Sequence, residues 1–192
     1  MVNYIVSGCP RSGTSMTMRI LAKAGMPIAS DGERTADNDN VHGYFEVASI
    51  VDKIIADPSV VLKYDGQVLK VIHFGIKHFP PGDYKIIYID RDLDEVMMSM
   101  EKMMGEPDPD RQATKDAFAS FAEKVKSVMA ERGDMEVLYV NHRDLVTDPS
   151  PVIDSIIEFY GIDPGKKDDM MSAIDPKQYR NRSSQMNSPD SR

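Results

Sequence analysis

Residues 5–19 read IVSGCPRSGTSMTMR. Tyr4, Ile5 and Val6 form a short apolar run of strand type, Ser7 to Ser15 form a loop of small and special residues, and Met16 to Ala24 carry a helical pattern. Met18, Ile20, Leu21 and Ala24 mark the buried face of that helix and Gly25 its stop. Strand, glycine-rich loop and helix in this order make a cradle for an anion. The backbone N–H groups of the loop and the first helical turn lack intrachain acceptors and point outward. Gly8 and Gly13 permit the tight turn and the close approach of backbone to ligand, so a phosphate is the natural guest. Against the nucleoside-triphosphate template G-x-x-x-x-G-K-[ST], Gly8, Gly13 and Ser15 match while Thr14 stands where the lysine belongs. That lysine is the point charge on the β and γ phosphates, so its absence argues against ordinary ATP or GTP chemistry. The cation has moved to Arg11, inside the loop.

The whole composition sets limits around this cradle. With 192 residues, 41% hydrophobic and 28% charged, the chain fits one globular domain with a full core. A formal charge of −8 and a pI near 5.0 argue against a nucleic-acid or anionic-membrane surface, so an anionic ligand must be held by a few placed cations. The single cysteine, Cys9, excludes an intrachain disulfide and suits a reducing compartment; in the loop it reads as a small residue tolerated by a tight turn. With no signal-peptide pattern at the start and no apolar run of membrane-spanning length, a cytoplasmic protein is expected.

Further along, Met26 to Ala29 suggest a short second strand, and residues 30–46 form a polar stretch too long to be an idle turn. It offers Glu33, His42 and Glu46 as candidate bases. Val47, Ile50, Val51, Ile54 and Ile55 predict an amphipathic helix from about Glu46, ended by Asp57-Pro58, which would put Glu46 in the first turn. Residues 67–74, QVLKVIHF, read as a strand in which Lys70 is out of place unless an anion meets it. Residues 85–90, KIIYID, are the clearest strand of the chain, and RDLDEV after it predicts a helix with Asp92 as N-cap and Glu95 in the capping-box place. Asp90 also fits the acid that ends a magnesium-binding strand in nucleotide kinases, which keeps a kinase reading open. The methionines at 97, 98, 100, 103 and 104 read as adaptable core filling. Residues 105–110 break the chain as a cover, and Phe118, Phe121, Val125, Val128 and Met129 trace a long helix before Gly133. A last strand at 135–140 and a closing helix through Tyr160 follow. Together these elements predict an α/β, three-layer P-loop (NTPase-like) fold with a mainly parallel central sheet flanked by helices. One domain over residues 1–182 is expected, with a disordered tail at 183–192.

The loop CPRSGTS resembles the 5′-phosphosulfate loop of the P-loop sulfotransferases, written P-[KR]-[SG]-G-T-[ST], whose donor is 3′-phosphoadenosine 5′-phosphosulfate (PAPS). GYFE at 43–46 resembles a segment found after the loop in many bacterial sulfotransferase-like proteins. Arg91 at the end of a strand with Ser99 eight positions later is similar to the family's 3′-phosphate pair, and HRDL at 142–145 stands where relatives carry Tyr-Glu-Asp-Leu, with His142 at the position that frames adenine. The resemblance implies a cofactor site of Arg11, Ser12, Gly13, Thr14, Ser15, Arg91, Ser99 and Arg182. It further implies that Arg11 and Lys70 stabilise the transferring sulfuryl group, with Glu46 or Glu33 as base. In cytosolic relatives a catalytic histidine lies two residues after the strand lysine; here that place holds Ile72 and the histidine is His73. The implied reaction moves a sulfuryl group from PAPS to a hydroxyl or amine of a small-molecule, glycan or lipid acceptor, releases PAP, and requires no metal. A P-loop kinase and a non-catalytic PAP-binding protein are the alternatives.

Overall fold

The computed structural model describes residues 2–32 and 45–175. Four parallel strands form one sheet: β1 (Asn3–Gly8), β2 (Val68–Lys70), β3 (Tyr84–Asp90) and β4 (Met135–Asn141), in the order β2-β1-β3-β4. The register pairs Val6 with Lys70 on one side and with Ile87 on the other. Because β1 connects to β2 on one flank while β3 lies on the other, the strand order reverses between β1 and β3, where open parallel sheets place their ligand cleft.

Both faces of the sheet are covered, so successive residues of its strands are apolar and are buried on both sides. Ile5, Ile86 and Tyr88 point into one core, shared with α2 (Ile50–Ala56) and α4 (Arg111–Glu131) through Ile54 and Val125. Val6, Ile87 and Ile89 point into the other, against α1 (Thr14–Lys23), α5 (His142–Thr147), α6 (Pro149–Tyr160) and α7 (Lys167–Ser172). The four expected core positions of α1, Met18, Ile20, Leu21 and Ala24, are all buried. Tyr160 closes that layer by donating its buried hydroxyl to the carbonyl of Ile5 at 2.7 Å.

Three local expectations are corrected. The segment 26–29 contributes only a single bridge, Ile28 with Val68, rather than a strand. Helix α2 begins at Ile50, four residues after Glu46, because the Asp31 carboxylate takes the Ala48 N–H at 2.6 Å and Phe45 and Ser49 adopt left-handed φ values of 47° and 51°. Glu46 therefore lies before the helix, outside the reach of its dipole. The strand expected over 67–74 ends at Lys70: the chain folds back into a 3₁₀ turn, His73–His78, and Gly75 lies so close to Val71 that a Cβ there would meet Val71 Cγ1 at 2.5 Å. Past that fold-back the strand's alternation of faces does not fix the direction of His73.

Candidate active site

The phosphate loop is built by backbone geometry. Gly8 has φ +153°, and a Cβ on it would stand 2.5 Å from Ser12 Oγ and 2.7 Å from the carbonyl oxygen of Ile89. Ser12 N–H returns to the Cys9 carbonyl at 3.1 Å, and Arg11 takes a left-handed φ of 65°. Gly13, the N-cap of α1 at φ 108°, could carry no side chain, because His142 Cδ2 lies 2.5 Å from where a Cβ would be. Ser12 N–H is thus spent inside the loop. The N–H groups of Gly13, Thr14 and Ser15 have no backbone acceptor among the described residues, and the buried Ser12 Oγ has no hydrogen-bond partner. These open donors, on a loop whose two glycines leave no room for a side chain, fit a phosphate.

Two groups of side chains converge on this loop. On the β3 side, Arg91 emerges at the end of the strand and α3 (Leu93–Met104) starts two residues later, with Asp92 as N-cap accepting from Glu95 N–H at 3.1 Å. The Glu95 side chain does not complete a capping box; its carboxylate accepts from Arg91 Nε at 3.2 Å, the two side chains being 4% and 9% exposed. Arg91 Nη1 donates to the Arg11 carbonyl at 3.0 Å, and Arg11 Nε donates to Ser99 Oγ at 3.0 Å. Arg11, Arg91 and Ser99 therefore form one cluster across the switch point. On the β2 side, Lys70 Nζ donates to Glu46 Oε2 at 2.6 Å and to Ser15 Oγ at 3.1 Å. The buried lysine of the apolar strand has its anion, and that anion is one of the two candidate bases.

Other candidates are placed away from the loop's mouth. Cys9 is buried, which pushes its thiol up to about 12 and leaves it inert. His73 is fully buried among Phe74, Phe118 and Phe121, with Nδ1 3.3 Å from the Tyr88 hydroxyl, and burial pulls its pKa down to about 4. His142 packs edge-on against Gly13, beneath the loop, with its pKa lowered to about 3 by burial and then by the Arg91 guanidinium. Asp90 ion-pairs with Lys126 of α4 at 3.1 Å, on the far side of β3 from α1, and lines a cavity of about 360 Å³ with Cys9, Tyr88, Arg91 and Asn141. The 105–110 connection is pinned to the helices it joins, since Asp108 N–H reaches Glu101 and Arg111 bridges Glu101 and Asp94. Glu33, His42 and Arg182 lie outside the described residues. Glu95, expected as a cap, and Met103, expected as core filling, instead meet the site: Glu95 pairs with Arg91, for which its spacing of four residues was the available signal, and the exposed Met103 contacts Arg11 Nη1 through its sulfur at 3.6 Å. Among the described residues no group of His, Cys, Asp and Glu is placed to hold a metal ion, and no helix is long and apolar enough to cross a membrane.

A parallel sheet whose first strand feeds a glycine loop and a helix N-terminus, with a second cationic turn across the strand reversal, defines the P-loop class of α/β proteins. The sulfotransferase domain family matches residues 3–190, nearly the whole chain, so the protein belongs to the P-loop sulfotransferases, transferases of the sulfuryl group. Among solved structures it is similar in fold to the sulfotransferase domain of the Synechococcus PCC 7002 olefin synthase, at a TM-score of 0.57 and 13% identity over 98% of this chain and 83% of that one. Mouse sulfotransferase SULT7A1, complexed with PAP, gives 0.57 and 12% over 96% and 67%; the sulfotransferase STF1 of Mycobacterium tuberculosis gives 0.56 and 13% over 97% and 75%. Comparison with curated protein sequences gives no match.

Proposed function

We propose that the protein transfers the sulfuryl group of PAPS to a hydroxyl or amine of a small-molecule, glycan or lipid acceptor and releases PAP. The observation that carries this reading is the meeting of Arg91 and Ser99 with Arg11: the two motifs assigned to the 3′- and 5′-phosphates on one ribose of PAP stand within hydrogen-bond reach of each other. The N–H groups of Gly13, Thr14 and Ser15 hold the 5′-phosphate, and Ser12 lends its buried hydroxyl. Arg91, fixed by Glu95, and Ser99 take the 3′-phosphate. PAPS itself supplies the sulfuryl group and an anionic leaving phosphate.

Arg11 and Lys70 stabilise the negative charge that builds between the leaving oxygen and the transferring group. Glu46 accepts the acceptor's proton. Its contact with Lys70 links the two roles, because an anion arriving at the Ser15 hydroxyl competes with Glu46 for the ammonium. As Lys70 turns toward the loop, the carboxylate is released to face the acceptor.

Titration calorimetry with PAP and with magnesium ATP tests the donor site, and transfer of radiolabelled sulfate from PAPS to a panel of phenols, amines and glycans tests the chemistry. PAP binding without ATP binding is expected. Glu46→Gln should bind PAP at least as tightly, because the competitor for the Lys70 ammonium is gone, and lower transfer by about 10²- to 10⁴-fold, the usual worth of a general base. Preference for magnesium ATP would point to a kinase, and PAP binding with no transfer to any acceptor would point to a binding protein.

A further inference from the structure

We propose that Met103 is an oxidation site through which hydroperoxides set the position of Arg11. The proposal rests on the reading of Arg11 as a cation of the phosphate loop. Helix α3 is rich in methionine, but its sulfurs differ in surroundings: Met97 is fully buried, whereas Met103 and Met104 are 40% and 50% exposed at the helix C-terminal end. Exposure selects these two for oxidation. Of the pair, Met103 stands four residues after Ser99 and so on the same helical face, and the guanidinium of Arg11 lies across both residues. Its Nε donates to Ser99 Oγ at 3.0 Å and its Nη1 to Met103 Sδ at 3.6 Å.

A thioether is a weak acceptor, so the present contact costs Arg11 little to leave. Oxidation changes this. A sulfur lone pair attacks the terminal oxygen of a hydroperoxide, the S–O bond forms as the O–O bond breaks, sulfur gives up two electrons, and the proton of the transferred oxygen passes to the other oxygen, which departs as an alcohol or water. The resulting sulfoxide oxygen is a strong acceptor facing a cation already aimed at it. Arg11 is then held on α3, beside the place assigned to the 3′-phosphate and away from the loop. The backbone offers no relief, since the Arg11 carbonyl is itself tied to Arg91. Two-electron reduction of the sulfoxide by a thiol-dependent sulfoxide reductase, with release of water, restores the weak contact, so the modification is reversible in kind. Cys9 does not compete for the oxidant, because it is buried and its thiol is pushed up to about 12.

The test treats the full chain with hydrogen peroxide, maps sulfoxides by peptide mass spectrometry and measures PAP affinity by calorimetry. Met103 and Met104 should oxidise ahead of Met97. The PAP dissociation constant should rise about five- to ten-fold in the wild type and in Met104→Leu, and stay level in Met103→Leu. Met103→Gln, which places an amide oxygen near the guanidinium, should weaken PAP binding without peroxide. Untreated protein that binds PAP, with complete Met103 sulfoxide and unchanged affinity, would overturn this proposal alone. Untreated protein that fails to bind PAP would overturn the phosphate-loop reading and the proposal with it.

Discussion

At the level of single residues, the site depends on two contacts that leave no slack. Arg91 and Glu95 form an ion pair whose side chains are 9% and 4% exposed, and removing one partner of such a pair strands a buried charge. Arg91→Ala should therefore cost about 3 kcal/mol of stability in urea unfolding, and Arg91→Ala with Glu95→Ala should recover most of it. Neither variant should bind PAP, which separates the structural from the ligand-holding part of Arg91. A double variant as unstable as the single one would refute the pairing as the source of the loss. Gly13 is constrained twice, by φ 108° and by His142 Cδ2, which lies 2.5 Å from the point a Cβ would occupy. Gly13→Ala should destabilise by about 2–4 kcal/mol, and adding His142→Ala should return only the steric share, leaving about 1–2 kcal/mol for the left-handed backbone. Full recovery in the double variant would mean that the backbone angle is not strained for alanine.

Between elements, the two ends of the sheet are held by different means. At the carboxyl ends of the strands, loops meet through the contacts of Arg11, Arg91 and Lys70. At the opposite end, Arg132 after α4 donates to the carbonyls of Phe79 and Pro80 and pairs with Asp134, whose carboxylate also takes the Gly82 N–H at 2.9 Å. The hydrogen bonds from Arg132 hold the Asp134 carboxyl far below the usual carboxylate range. This clasp sets where the chain enters β3. Arg132→Ala should lower stability by about 1–3 kcal/mol while PAP affinity stays unchanged, because the clasp lies a full strand length from the loop. A loss of PAP affinity in a variant that is still folded would show that the register of β3 reaches the site. Elements with strong local signals are legible in the sequence: Gly8 and Gly13 around a strand–helix junction, and KIIYID followed by an Asp92 cap. Lys70 announces that it needs an anion, but the sequence cannot say that Glu46, 24 positions earlier, supplies it, since that meeting is made by the fold-back before α2. The 3₁₀ turn at His73–His78 is equally hidden, because an apolar run with one histidine looks the same whether it continues a strand or folds over Val71. Glu95 fits a cap in sequence and serves an ion pair in space, two uses of one residue that only the position of the Arg91 side chain distinguishes.

Over the whole molecule, two cores on opposite faces of one sheet each enclose or abut a histidine that folding keeps neutral. His73 lies in the aromatic group beneath α4, with its pKa drawn down to about 4 by burial, and His142 lies under the phosphate loop, drawn down to about 3 by burial and by Arg91. Both titrate near 6.5 when unfolded. As pH falls from 6.5 toward 5 the unfolded chain comes to carry up to two protons that the folded chain lacks, so stability falls as pH falls and is fully present above the unfolded value. Each histidine contributes a slope of about 1.4 kcal/mol per pH unit in that window. Asp134 adds to the loss only in more acidic solution, since its folded carboxyl stays ionised below the usual range. The urea midpoint should therefore be flat above about pH 7 and decline well before carboxylates protonate, a window set by histidines and not by the chain's acidic excess. His73→Phe, which keeps an aromatic ring among Phe74, Phe118 and Phe121, should reduce that slope by about half while leaving the neutral-pH midpoint lower only by the lost contact to Tyr88. Unfolding curves recorded at half-unit intervals from pH 8 to pH 4 decide the matter. If the midpoint holds level down to pH 5, or if the variant declines as steeply as the parent, the two imidazoles are not kept neutral by the fold. The packing of His142 against Gly13 would then need another explanation than a buried, uncharged ring.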